Sequence, residues 1–65
     1  MPSSAGKPLS QEQRMEIFLA LVKAQDDEMP VVRSRRAVAA QFGVSEQRVR
    51  RIEQEGLDRN WPPLG

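Results

Sequence analysis

The sequence predicts an all-α protein: a small three-helix helix-turn-helix domain behind a disordered N-terminal leader. Three observations carry that prediction. Apolar residues recur at helical spacing in three separate segments. A serine able to cap a helix stands before each of them, at Ser10, Ser34 and Ser45. A residue that halts a helix follows each one: Pro30, Gly43 and Gly56.

Residues 1–9 hold Pro2, Ser3, Ser4, Gly6 and Pro8 and little to bury, so they are expected to form the leader, with the domain spanning residues 10–65. Ser10 opens the first helix, and Gln13 three residues on completes a capping box. Ile17, Phe18, Leu21 and Val22 then make one apolar stripe. That helix should fade near Gln25, because Asp26, Asp27 and Glu28 put negative charge at the unfavourable end of its dipole. Pro30 forbids continuation, and Met29 to Arg33 reads as a connector. Ser34 is expected to cap a second helix, Arg35 to Phe42, stopped by Gly43. Ser45 should cap a third, Glu46 to about Glu55, ended by Gly56. The closing stretch with Trp61-Pro62-Pro63 is too proline-rich for a helix, and Trp61 is expected to act as a lid on the core.

Composition narrows the function. A chain of 65 residues holds one small domain and buries only about 60% of its unfolded surface. With no cysteine and no histidine there is no disulfide, no ordinary zinc site, no thiolate nucleophile and no imidazole acid–base pair. No enzyme, metal or cofactor is therefore expected. The longest apolar run, Ile17 to Val22, is far shorter than the ~20 residues of a membrane span. The first ten residues lack the apolar core of a signal peptide, which points to a cytoplasmic protein with no membrane partner. Net charge is only +1, yet it is unevenly spread. Residues 1–34 carry four basic and five acidic groups; residues 35–65 carry six and four, and every basic group there is arginine. Arginine suits phosphates and base edges better than lysine does.

The stretch from Arg35 to Gln54 is the most specific. Val38 and Phe42 share the inner face of one helix, and Ala39 is small where two helices cross. Gly43 can take the left-handed turn, Val44 plugs it, and Val49 with Ile52 form the buried stripe of the next helix. Any helical hairpin needs such spacing, so the opposite face decides the reading. At about 100° per residue, that face holds Gln47, Arg50, Arg51 and Gln54, with Arg48 on its flank. Arginine pairs with guanine O6 and N7, and glutamine with adenine N6 and N7. These four are the candidate base-reading residues. Arg35, Arg36, Ser45 and Arg48 are the candidate phosphate contacts, since the first helix of such a motif crosses the DNA backbone. The competing account of the arginines is a merely soluble surface. Glu53 lies near the buried stripe and is expected to pair with an arginine.

The run RAVAAQFGVSEQRVRRIEQEGL resembles the C-terminal region four of bacterial primary sigma factors, through Val38, Phe42, Val44, Arg48, Val49, Arg50, Ile52, Glu53 and Leu57. The resemblance covers residues 34–57. It implies a second motif helix lying in the major groove of a promoter −35 element and a possible contact with RNA polymerase. Nothing of the other sigma regions is expected in this chain, so promoter melting is not. The family usually has a basic residue where Glu46 stands, an acid at Gln47 and glutamine at Arg51, so the same promoter element does not follow. The sequence thus leads to sequence-specific binding of double-stranded DNA in transcriptional regulation, with a homodimer through Met15 and Leu19 as one route to affinity. The alternative is a protein-interaction module of the same fold, docking through its first helix, Trp61 or the acidic run at 26–28.

Overall fold

The computed structural model describes residues 9–64; most of the expected leader lies outside the described residues. The described chain is three helices with no strand: α1 (Gln11–Asp26), α2 (Val31–Phe42) and α3 (Glu46–Arg59). Each helix packs on the other two.

The start of α1 forms as its sequence dictates. Gln13 N–H donates to Ser10 Oγ (3.1 Å), and Ser10 N–H donates back to Gln13 Oε1 (2.9 Å), which satisfies two otherwise orphaned amides. Leu9, assigned to the leader by its neighbours, packs partly against the core. At the far end Asp27 caps the helix and Glu28 turns the chain at φ 66°.

The start of α2 corrects the expectation. The helix begins four residues earlier than the serine signal suggests, and the cap position belongs to Pro30, whose carbonyl accepts from Ser34 N–H (2.8 Å). Proline's fixed φ suits a helix entrance, where its missing N–H costs nothing. Ser34 caps nothing. It is completely buried inside the helix, where its hydroxyl donates to Val31 O (2.7 Å) and accepts from Gln25 Nε2 (3.2 Å). Gly43 ends α2 in the left-handed conformation (φ 68°, ψ 33°), as expected.

The end of α3 is the second correction. Gly56 does not stop the helix, which runs on to Arg59 and is capped by Asn60 at φ 54°. Gly56 is buried in the interior because the Phe18 ring of α1 lies directly upon it; a Cβ there would overlap the ring. The glycine serves helix approach rather than termination. Trp61 N–H then returns to Gly56 O (3.0 Å) and folds the indole inward.

The core is Ile17, Phe18 and Leu21 from α1, Val38 and Ala39 from α2, Val49 and Ile52 from α3, and Trp61. Trp61 covers it as expected, only 5% exposed and edge-on to Phe18 at 6.1 Å between centroids. Among the described residues no buried side-chain nitrogen or oxygen lacks a hydrogen-bond partner. That matters in a chain with no disulfide, where one unsatisfied group of about 1–3 kcal/mol is a large share of stability.

Candidate nucleic-acid interface

With Val49 and Ile52 buried, the geometry of α3 turns Gln47, Arg50, Arg51 and Gln54 outward, and all four are exposed. They lie together on one face as the spacing requires. Gln47 and Arg51 line both of two shallow depressions. One, about 390 Å³, is lined also by Arg35, Arg50, Glu53 and Gln54. The other, about 420 Å³, runs past Leu9, Arg14, Ser45 and Arg48. Ser45 Oγ accepts from Arg48 N–H (3.0 Å), which fixes the first turn of α3 and presents Arg48 half-buried on the flank. Gln54 Nε2 donates to Asp58 Oδ1 (3.1 Å) one turn on, so its amide is already occupied by a weak, exposed partner.

The candidate phosphate contacts divide. Arg36 is exposed and lies 3.7 Å from a Glu46 carboxylate oxygen, both side chains well solvated, an arrangement worth little energetically. Arg35 is held differently. Its Nε donates to Glu53 Oε1 (2.9 Å), and its terminal nitrogen lies 2.8 Å from the same oxygen. The pair is mostly shielded from water, 27% and 17% exposed. Glu53 also accepts from Gln25 Nε2 (3.3 Å), and Gln25 reaches the buried Ser34 hydroxyl. One polar cluster therefore ties all three helices behind the outward face of α3. The ion pair expected of Glu53 is present, and its partner is Arg35.

Helical spacing leaves Arg14, with Glu12, Glu16 and Lys23, for the sides of α1 away from its apolar stripe, yet Arg14 has a large structural role. It grips Glu55 with two nitrogens (2.8 and 3.2 Å), donates to Leu9 O (2.6 Å), and sits 6.0 Å from the Trp61 ring centre. Its acid lies 41 positions away, so no local pattern announces the pair.

Arg33, Arg48, Arg50 and Arg51 have no carboxylate oxygen within 4 Å among the described residues. Of the exposed carboxylates, Glu12, Glu16, Asp26, Asp27 and Glu28 lie on α1 and the turn after it, and Glu46 and Asp58 lie on α3. The excess of positive charge sits on α2, which holds three arginines and no acid, whereas α3 balances four arginines with four acids and α1 carries two basic and three acidic groups. Among the described residues no cluster of His, Cys, Asp or Glu could hold a metal ion, and no helix is long and apolar enough to cross a membrane. Comparison with protein-family models, with curated proteins and with solved structures found no match.

Proposed function

We propose that this chain binds double-stranded DNA, with α2 and α3 as a helix-turn-helix and α3 as the helix that enters the major groove. The observation that carries the proposal is the outward face of α3: four exposed side chains of base-reading type, with Arg48, Arg50 and Arg51 unneutralised. Gln47, Arg50, Arg51 and Gln54 read bases. Arg36, Ser45 and Arg48 hold the backbone and set the register. Arg35 acts at second hand, since Glu53 occupies its guanidinium.

Such a module covers about 600–1,000 Å² of protein surface. Useful affinity then comes from a second copy or from a larger assembly such as RNA polymerase, as the resemblance to sigma region four implies. Regulation of transcription is the role that fits. In the alternative, the same fold docks a protein; of its three candidate anchors, Trp61 is withdrawn into the core and α1 and the acidic run stay exposed.

A salt titration on random-sequence duplex tests the reading. With three or four phosphates contacted, log K should fall against log salt with a slope of about −3 to −4. Amide NMR shifts on adding duplex should centre on residues 47–54. No binding at low salt, or shifts centred on α1, would sink the DNA reading.

A further inference from the structure

We propose that Arg33, rather than Arg35, is the phosphate-gripping partner of Arg36 on the outward face of α2. The inference rests on the DNA reading above and assigns a residue that the motif alone does not mark. Because α2 begins at Val31, Arg33 belongs to its first turn instead of to a connector. Three positions separate it from Arg36, which places the two about 60° apart on the helix surface. Both are exposed. Ala37 and Ala40, also exposed, lie beside them, and Val32, likewise exposed, flanks Arg36.

Charge accounting separates the two arginines. A guanidinium contributes to phosphate binding when it is free to exchange water and counterions for a phosphate oxygen. Arg33 has no carboxylate within 4 Å among the described residues. Arg36 has only the long, solvated approach to Glu46, which a phosphate can displace. That approach also sets Arg36 beside the first turn of α3, so the basic face of α2 continues into the end that enters the groove. Arg35 is neutralised by Glu53 in a shielded cluster with Gln25 and Ser34. Moving it to a phosphate would leave Glu53 half-buried without its cation, a cost that opposes the exchange.

The test compares salt slopes on random duplex for the full chain, Arg33→Gln, Arg33→Lys and the double variant Arg35→Gln with Glu53→Gln, whose net charge equals that of the parent. Arg33→Gln should flatten the slope by about 0.9 and weaken every duplex by the same factor. Arg33→Lys should restore the slope, and the double variant should keep it. A parental slope for Arg33→Gln overturns the assignment, as does a flattened slope in the double variant or a change of base preference at Arg33. If the double variant does not fold, Arg33→Gln decides alone. Failure of the parent chain itself to bind at low salt is a separate result and removes the DNA reading together with this one.

Discussion

Arg35 and Arg51 carry the same guanidinium in different surroundings, and the difference decides what each can do. Arg51 stands on the outward side of α3 with no carboxylate oxygen within 4 Å among the described residues; Arg35 is locked to Glu53. The placement of Arg51 was legible because Val49 and Ile52 define the buried side of α3 without ambiguity, and the opposite side follows from helix geometry. That Glu53 would pair was legible for the same reason. Its choice of Arg35, 18 positions away on another helix, depends on the angle between α2 and α3, which no local pattern encodes. In the DNA reading Arg51→Ala should relax discrimination at one base pair, a loss of about 1–3 kcal/mol on the preferred site. Arg36→Ala should weaken all sequences alike. Competition binding against a panel of single-base variants measures both; identical behaviour of the two variants would refute the division between reading and gripping.

At the scale of elements, the interiors of the three helices were legible and two of their ends were not. Apolar spacing settles an interior because several residues vote together. An end rests on one or two residues whose signals carry more than one meaning. Ser34 looks like a cap, yet a serine in the interior can bond its own helix carbonyl, and this one faces Gln25 in the core. Gly56 looks like a stop, yet a glycine also permits close approach, and Phe18 uses it. Gly56→Ala separates these roles. A solvent-facing helix would gain about 1 kcal/mol from the change. Here overlap with the Phe18 ring should cost more, about 1–3 kcal/mol and upward, because the ring is walled in by Trp61. The expected outcome is a lower Tm, read by thermal unfolding. A raised Tm would show that Phe18 yields without penalty and that the contact does not constrain α1 against α3.

For the whole molecule, a small core without a disulfide ties stability to the α3 surface proposed to face DNA. A 65-residue domain has roughly 3–10 kcal/mol of folding free energy to lose. Trp61 is a large share of its core, and Arg14 leans on its ring while holding Glu55 of α3. Trp61→Ala removes about 3–5 kcal/mol. The variant should therefore be partly or wholly unfolded near 37 °C, with weak helical circular dichroism. If α2 and α3 bind duplex only when folded, saturating DNA must pull the chain back. At a hundred times Kd the linkage contributes about 2.7 kcal/mol. Helical signal should then return on adding duplex at low salt and vanish again at high salt, because phosphate contacts supply the binding energy. An acidic polymer without bases tests whether charge alone suffices; it should restore less signal than duplex does. Recovery that ignores salt would mean that burial of apolar surface, not the arginine face, drives the association, and would favour the protein-docking alternative.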